Sequence, residues 1–343
     1  MRKLKYKEAI SEATVQAMTK DPSIFVTGHA VAYPSGIFGS TSAAAALFPE
    51  RVFDCPSMEN AFMGIAVGAA AMGKRPVFVL PRADFMFLAF DNLLNLACKW
   101  AYMYDGNAGH VPIVIRAVVG KGWGQGATHS QSLHATLAHF PGLTVALPST
   151  PADAKGLLLG AFEANHPVVI FEHRSLFESE GEVPETMAAI PFGKANTLRV
   201  GSDLTIVATS LMALEATIAA DELAKQGISI EVIDPRTIRP LDEEAILNSV
   251  AKTGHLIVAD GSWEMCGFSS EVAGLVAEKG FYSLKAPVRR IAFANCPAPV
   301  SMPLENAFYP KASTLAKAAL RLLKKEDTNL KDIDRQDYFK GPY

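Results

Sequence analysis

Two segments of the chain carry residues that could perform acid–base chemistry. Glu59 opens a predicted helix in the segment 53–73, FDCPSMENAFMGIAVGAAAMG, and is the one acid of a helix that is otherwise apolar on every side. A carboxyl group at this position is shielded from water and could hold or exchange a proton inside a closed site. The alternative is an ordinary first-turn acid that satisfies free backbone N–H groups.

The second candidate is His129, in the glycine-rich segment 120–135, GKGWGQGATHSQSLHA. An imidazole that a flexible loop brings to the start of a helix could act as a general acid or donate to an oxyanion. The segment matches neither GxxxxGK[ST] nor a strand-bound GxGxxG, which disfavours a phosphate loop of those types. A structural histidine beside Ser130 and Gln131 is the alternative.

The sequence does not show the spacing of ligands that is typical of a metal site. Asp105-Gly106-Asn107 and Asp260-Gly261 offer the oxygens that Mg2+ prefers, but they lack the surrounding ligand spacing. The cysteines lie far apart without a CxxC pair, which argues against a zinc site or a disulfide framework and fits reduced thiols in a cytoplasmic compartment. They are Cys55, Cys98, Cys266 and Cys296.

Composition limits the classes of protein to which the chain can belong. A length of 343 residues predicts two domains, and 49% hydrophobic residues with 20% charged residues predict a sizeable core. The net charge of -3 provides no basic field for a nucleic acid. Charges interrupt every apolar run of membrane-spanning length, and no apolar run follows the charged start, so neither a membrane span nor a secretory signal is expected.

The elements that would position Glu59 and His129 form an α/β pattern. Because the strand candidates are apolar at consecutive positions, both faces of their sheet should be covered by helices, which predicts a mainly parallel sheet. The predicted strands are 23–28, 76–80, 111–118, 143–147 and 167–172. The predicted helices are about 7–19, 58–72, 85–103, 131–138 and 151–164, the last with Pro151 in its first turn.

A second α/β unit follows a segment rich in Glu, Gly and Pro at 178–202, which reads as a connection between domains. We therefore expect two doubly wound domains, over residues 1–190 and 191–325. The remaining residues, 326–343, are polar without an apolar period and are expected to form a tail.

Five segments, in this order and spacing, resemble the beta subunit of thiamine-diphosphate-dependent 2-oxoacid dehydrogenases. This family includes pyruvate, branched-chain 2-oxoacid and acetoin dehydrogenases and lies within the transketolase superfamily. The segments are FDCPSMENAFMGIAVGAAAMGKRPV, ATHSQ with HFPGLTVALPSTPADAKGLL, ANHPVVIFEHR, IEVIDPRTIRPLD and GHLIVADGSW. The resemblance implies an N-terminal pyrimidine-binding domain and a C-terminal transketolase-type domain.

The same resemblance implies a reaction and roles for individual residues. The family decarboxylates a 2-oxoacid and transfers the acyl unit to a lipoyl carrier. An acid matching Glu59 bonds the ring nitrogen N1′ of the cofactor's aminopyrimidine and thereby activates the cofactor. Phe85, Met58 and His29 match positions near the cofactor, and the histidine matching His129 faces the reacting centre.

Partners and metals also follow from the resemblance. The motif that holds Mg2+ and the diphosphate lies on the alpha subunit in such enzymes, so an alpha2beta2 heterotetramer is expected, with a lipoyl acyltransferase as a further partner. Some relatives bind a monovalent cation, K+, at a loop that corresponds to Ile113, Ala161 and Asn165. Ala164 stands where those relatives tend to carry an acid.

Two departures from the family pattern bear on the substrate. Many relatives carry acids after the first strand, where this chain reads Gly28-His29-Ala30. A neutral stretch before Phe85 is replaced by residues 81–84, Pro-Arg-Ala-Asp. Arg82 could bind a carboxylate or phosphate of the substrate, and a solvated surface arginine paired with Asp84 is the alternative.

These departures keep two other functions open. A split transketolase-like or acyloin-forming enzyme would transfer a two-carbon or acyl unit to an aldehyde or a sugar. A non-catalytic interaction subunit would keep the fold alone, although the presence of both Glu59 and His129 argues against it.

Overall fold

Within the part of the chain that the structure describes, the strands form two larger sheets and one short ribbon. The computed structural model describes residues 2–121, 124–186, 188–326, 330 and 333–335. The strands are β1 (Arg2–Lys5), β2 (Ile24–Gly28), β3 (Val52–Asp54), β4 (Arg75–Leu80), β5 (Val114–Val119), β6 (Thr144–Ala146), β7 (Val168–His173), β8 (Glu180–Val183), β9 (Asn196–Arg199), β10 (Leu204–Ala208), β11 (Ile230–Asp234), β12 (Thr237–Arg239), β13 (Leu256–Trp263) and β14 (Arg289–Phe293).

Helices cover the faces of both sheets. They are α1 (Tyr6–Lys20), α2 (Ser42–Leu47), α3 (Glu59–Ala71), α4 (Trp100–Met103), α5 (His134–Ala138), α6 (Pro151–Glu163), α7 (Leu211–Ala224), α8 (Glu243–Thr253), α9 (Phe268–Lys279), α10 (Met302–Phe308) and α11 (Ala312–Leu322). Helix α6 begins as its sequence predicts, because the Thr150 side chain accepts from Asp153 N at 3.1 Å and proline stands in the first turn.

The first sheet has seven strands in the order β12-β6-β7-β5-β4-β2-β3. Every neighbouring pair is parallel except β12 and β6. Helices α1 and α6 pack on one face and α3 on the other, which buries the central strands on both sides. The continuous apolar runs of the sequence follow from this double cover, and the expected mainly parallel α/β fold is confirmed.

The second sheet has the order β14-β13-β10-β11-β9, with only β9 antiparallel to its neighbour. Helices α7 and α11 pack on one face, and α8 and α9 on the other. The apolar cluster beneath α8 and α9 continues into the first sheet. Strand β12, which follows β11 in the chain, also joins the first sheet, so the two units share both a core and a strand pairing.

One predicted helix is wrong. The segment 85–103 is not continuous, because a 3-10 segment covers Ala83–Ala89, a π-helical turn covers Asp91–Ala97, and only α4 is a short α-helix. The apolar pattern of this segment arises from burial against α3 rather than from one regular helix. The sequence pattern also missed short strands such as β3 and β12, which have three residues each.

Much of the expected tail, at 327–329, 331–332 and 336–343, lies outside the described residues. Within the described part, Leu330 is buried, and Asp334 accepts from the backbone N and the Oγ of Ser313, each at 2.8 Å. Asp334 therefore contacts the start of α11. Among the described residues, no helix combines the length and apolarity that crossing a membrane requires.

A buried acid at the end of β11 makes the stability depend on pH. Asp234 is fully buried, accepts from Ser149 Oγ and from Arg236 N at 2.8 Å, and burial together with the charge of Asp153 raises its pKa from 3.8 to about 7. The folded chain keeps this proton between about pH 4 and 7, where the unfolded chain releases it. Stability contributed by this group is therefore full at low pH and is lost as the pH rises towards 7.

We expect Asp234→Asn to remove this contribution to the pH dependence. When the pH rises from 5 to 8, the free energy of unfolding of the variant should increase relative to that of the parent by on the order of 2–4 kcal/mol. Urea unfolding at both pH values measures the difference. Asp221→Asn, at a side chain that is 66% exposed, is the control and should behave alike at both pH values. A constant difference between Asp234→Asn and the parent would contradict the assignment.

Candidate functional site

The predicted site residues follow four neighbouring strands of the first sheet. His29 follows β2, Phe85 follows β4, His129 follows β5, and Glu59 opens α3 after β3. These strands are adjacent in the order β5-β4-β2-β3 and run parallel. Their carboxyl ends therefore meet at one edge of the sheet, which is where ligands of open α/β sheets bind. We call this edge the candidate site.

A glycine allows β2 and β4 to approach each other at this edge. Gly28 has a φ of +149°, and a Cβ built there would lie 2.2 Å from the carbonyl oxygen of Val79. Any other residue would therefore push the strands apart. The backbone N of His29 donates to the same Val79 oxygen at 3.3 Å, which fixes where His29 leaves the strand.

Glu59 and His29 face each other in this buried corner. Glu59 is 5% exposed, and its Oε1 lies 3.7 Å from Nε2 of His29. This separation exceeds a hydrogen bond, and the buried Nε2 has no hydrogen-bond partner among the described residues. A buried polar atom without a partner is uncommon in a complete structure, so the corner has the capacity to bind a further polar group.

Cys55 lies in the same segment, 53–73, as Glu59, and the Glu59 carboxyl group affects the Cys55 thiol. Burial, and then the charges of Glu59 and Asp54, raise the pKa of the Cys55 thiol. The thiol is therefore protonated at neutral pH and is not a nucleophile in this state.

Helix α3 presents two different faces. Met63, Ala66, Val67 and Ala70 are buried in the chain. The opposite face carries Ala61, Ile65 and Gly68 and is continued by Met72, the residue after the helix; all four are exposed and apolar, and we call them the α3 stripe. Met58, which precedes the helix, is also 57% exposed. A helix that is apolar on every side is therefore buried on one face only within a single chain.

Phe85 and His129 form a second pair. Their ring centroids lie 5.5 Å apart at an interplanar angle of 83°, an edge-to-face contact. Thr128 Oγ1 lies 2.9 Å from His129 Nδ1, which leaves Nε2 of the ring to act elsewhere. Among the described residues no hydrogen bond joins His129 to Glu59, so the structure places the two pairs at one edge without linking them directly.

The loop that carries His129 is braced by side chains from residues 81–84. Arg82 Nε donates to Gln125 Oε1 at 3.0 Å, and Arg174 Nη1 donates to the same oxygen at 3.0 Å. Asp84 Oδ1 accepts from the backbone N of Gln131 at 3.2 Å and from its side-chain Nε2 at 2.9 Å. These bonds hold the loop on both sides of His129.

The contacts of Arg82 exclude one of its two predicted roles. Its side chain is buried, with the residue only 4% exposed, and Nη1 also donates to the Pro81 carbonyl at 2.6 Å. A solvated surface arginine is therefore wrong. Sequence reasoning missed Gln125 and Arg174, because Gln125 lies 43 positions from Arg82 and Arg174 lies 49 positions from Gln125, and such separations carry no local signal of contact.

We expect Arg82→Met to destabilise the chain without exposing the core. Methionine has a similar length but no donor, so Gln125 Oε1 loses one of its two donors; the cost should be about 1–3 kcal/mol. Urea unfolding of the purified chain measures it. Lys74→Met, at an exposed position, is the control and should stay within about 0.5 kcal/mol of the parent. Equal stability of both variants would contradict the brace.

The positions expected to bind K+ fit a monovalent cation poorly. The Ile113 carbonyl accepts from Val168 N at 3.0 Å, and Asn165 Oδ1 accepts from Arg75 Nη2 at 2.7 Å. Arg75 Nη1 also donates to the carbonyls of Phe162 and Ala164, at 3.0 and 2.8 Å. A guanidinium group thus already supplies positive charge to this loop, in which Ala161 is buried.

The described residues contain no group of three or more His, Cys, Asp or Glu side chains that could hold a metal ion.

Comparisons with known proteins agree with this geometry. Residues 2–179 match the family described as transketolase, pyrimidine binding domain, and residues 193–315 match transketolase, C-terminal domain. The chain is 42% identical over 94% of its length to an acetoin:2,6-dichlorophenolindophenol oxidoreductase subunit beta of Cupriavidus necator, covering 98% of that protein. It is 38% identical over 92% of its length to a pyruvate dehydrogenase E1 component subunit beta of Rickettsia felis, covering 97% of it.

A solved structure agrees as well. A split gene transketolase, described as an inactive beta4 tetramer, superposes with a TM-score of 0.75 at 27% identity, covering 93% of this chain and 98% of that one. Two domain descriptions in the expected order, relatives of matching length and a similar solved structure lead to one conclusion: the chain belongs to the transketolase-like family that includes the beta subunits of acetoin and 2-oxoacid dehydrogenases.

Proposed function

We propose that the chain is the beta subunit of a thiamine-diphosphate-dependent 2-oxoacid dehydrogenase, which decarboxylates a 2-oxoacid and transfers the acyl unit to a lipoyl carrier. The observation that carries the proposal is the buried Glu59 carboxyl group facing an unpartnered His29 nitrogen at the carboxyl edge of the sheet. The family to which the chain belongs uses thiamine diphosphate.

The residues of the candidate site fit the aminopyrimidine end of that cofactor. Glu59 offers a carboxyl group in a buried corner, His29 offers a ring nitrogen with no other partner, and Phe85 and Met58 offer apolar surface. When bound, thiamine diphosphate supplies the carbon nucleophile for attack on a 2-oxoacid carbonyl. Glu59 would hold the proton that it shares with the pyrimidine nitrogen, away from bulk water.

His129 would act on the substrate side of the site. Its ring is held against Phe85 and its loop is braced through Gln125 and Gln131, so the imidazole reaches the site with restricted freedom. We propose that it donates a proton to the carbonyl oxygen of the substrate or assists acyl transfer. The buried contacts of Arg82 favour a positioning role through this loop over direct contact with the substrate.

The α3 stripe supports an alpha subunit as the obligatory partner. It is apolar, rich in small residues, and begins beside Glu59, so a second chain packed on it would close the candidate site. We propose that this partner binds Mg2+ and the diphosphate and that the assembly is an alpha2beta2 heterotetramer. A lipoyl acyltransferase would then receive the acyl unit. K+ is not part of the proposal.

The domain boundaries and the cellular location also remain predictions. The domain boundary at 190 is supported by the first strand of the second sheet, which begins at Asn196, and the boundary at 325 is supported by α11, which ends at Leu322. A cytoplasmic location is supported by the four cysteines, all of which are free thiols.

A second candidate is favoured by the structural similarity to a split-gene transketolase. Such an enzyme would share the cofactor and the pairing with an alpha subunit, but it would pass a two-carbon or acyl unit to an aldehyde or sugar.

Reconstitution with an alpha subunit tests both candidates. The pair should bind thiamine diphosphate with Mg2+, release CO2 from a 2-oxoacid, and acylate an isolated lipoyl domain. Carbon transfer to an aldehyde or sugar with no acylation of the lipoyl domain would favour the second candidate. Cofactor binding without CO2 release from any 2-oxoacid would exclude the first.

A further inference from the structure

A cavity lies between the carboxyl edges of the two sheets. Its volume is about 400 Å³, which is within the usual range for small-molecule pockets. From the first sheet, the ends of β5, β6 and β7 reach it, and from the second sheet, the turn between β10 and α7 and the end of β13 do so. Glu59, His29, Phe85 and His129 do not line it.

The charges around this cavity favour an anion. Three permanent cations line it, Lys121, Lys311 and Arg335, against two acids, Glu215 and Asp334. Both acids already receive N–H donors at the start of α11: Glu215 from Ala312 at 2.8 Å, and Asp334 from the next residue. Burial raises the pKa of Glu215.

Helix α7 adds a positive end to the same cavity. It has 14 residues, and its first residues, with the preceding Thr209 and Ser210, line the cavity. The amino-terminal end of such a helix attracts negative charge.

The turn before α7 is held in an unusual conformation. Ser210 adopts φ 53° and ψ -129°, a backbone conformation that non-glycine residues avoid, and its side chain does not cap the helix. The residue is only 6% exposed, and its buried Oγ has no hydrogen-bond partner among the described residues. A strained residue with an unpartnered hydroxyl, at a positive helix end beside a cavity, is typical of a site that binds a ligand.

Apolar side chains complete the walls. Leu147, Leu211 and Phe293 line the same cavity, so the space beside the cations accommodates an uncharged body. From these features together we infer that this cavity binds a small organic anion, one phosphate or carboxylate group on a short apolar body, at a site separate from that of the cofactor. The anion contacts Lys311 and the start of α7, and the apolar body lies against Leu147 and Phe293.

Calorimetric titration of the full chain without an alpha subunit tests the inference. The probes are phenyl phosphate, benzoate and the neutral phenol, which share one apolar body and differ in charge. At least one of the two anions should bind saturably at one site per chain, while phenol should bind at least about tenfold more weakly. Binding of only one anion identifies phosphate or carboxylate as the preferred group.

Variants locate the binding in this cavity. Lys311→Gln should weaken the anion about tenfold, because a charged donor is removed. Lys317→Gln, an equal change of charge at an exposed position of α11, the helix that Lys311 precedes, is the matched control and should change the affinity less than about twofold. Ser210→Gly suits the positive φ and removes the hydroxyl, so it should fold and bind severalfold more weakly.

Three outcomes would overturn the inference: no saturable binding of either anion, equal binding of phenol, or equal weakening by Lys311→Gln and Lys317→Gln. If Lys311→Gln does not fold, as judged by circular dichroism, Ser210→Gly decides, and unchanged affinity in that variant overturns the inference. The outcome is independent of the proposed function, since no step of the test requires cofactor, alpha subunit or turnover.

Discussion

The Glu59→Gln variant is expected to assemble normally and to lose catalysis. Glutamine has the shape of glutamate and can keep the start of α3, but it cannot hold and return a proton in the buried corner beside His29. Loss of a positioned acid–base group costs about 10²–10⁴-fold in rate. CO2 release by the chain reconstituted with an alpha subunit, thiamine diphosphate and Mg2+ measures the effect.

The control for this experiment is Glu50→Gln. The side chain of Glu50 is 70% exposed, so the same chemical change there should leave turnover within about twofold of the parent. Size-exclusion chromatography and thermal unfolding establish that both variants assemble. Parent-like turnover in Glu59→Gln would favour a non-catalytic interaction subunit and would remove the central step of the proposed function.

The largest expected effect on stability comes from a buried ion pair. Arg116 on β5 and Glu172 on β7 are both fully buried; Nε lies 2.5 Å from Oε1 and Nη2 lies 2.9 Å from Oε2. Arg116 Nη2 also donates to Ser40 Oγ at 2.7 Å, which ties the sheet to the segment before α2. Glu172→Gln removes one charge and leaves the guanidinium buried without its counter-charge, so we expect a loss of about 3–5 kcal/mol.

The double variant Arg116→Met with Glu172→Met separates the pairing from simple loss of contacts. Two apolar side chains of similar length leave no buried charge, so the double variant should be clearly more stable than Glu172→Gln alone. Urea unfolding of the parent and both variants measures this. A double variant less stable than Glu172→Gln would show that packing at these positions, rather than the unpaired charge, sets the cost.

Particular elements show what could be predicted from the sequence. Continuous apolar runs predict β4, β5 and β7 because burial on both faces removes the need for polar positions. Glu59 could be predicted as a site residue because it is the one acid in the apolar sequence of α3. The helix predicted over 85–103 is wrong because the apolar pattern indicates burial only. A 3-10 segment and a π-helical turn can be buried as well as an α-helix can.

Contacts between distant segments lie beyond such patterns. Asp84 and Gln131 are 47 residues apart, and their hydrogen bond depends on β4 and β5 being neighbours in the sheet, which no local feature reveals. The resemblance to a family placed Phe85 near the cofactor and His129 facing the reacting centre, whereas the contact between their rings and the role of Arg82 in holding the loop required the fold. Exposure of the α3 stripe likewise becomes visible only when the single chain is folded.

The pairing of β12 with β6 has a consequence for how the chain can be divided. Thr237–Arg239 come from beyond β11, yet they form the border of the first sheet. A fragment that stops near residue 190 would leave β6 as an uncovered border with free hydrogen-bonding groups, and such borders promote aggregation. Expression of the first half by itself should therefore yield insoluble protein, and hinge bending between the halves is opposed by the same hydrogen bonds.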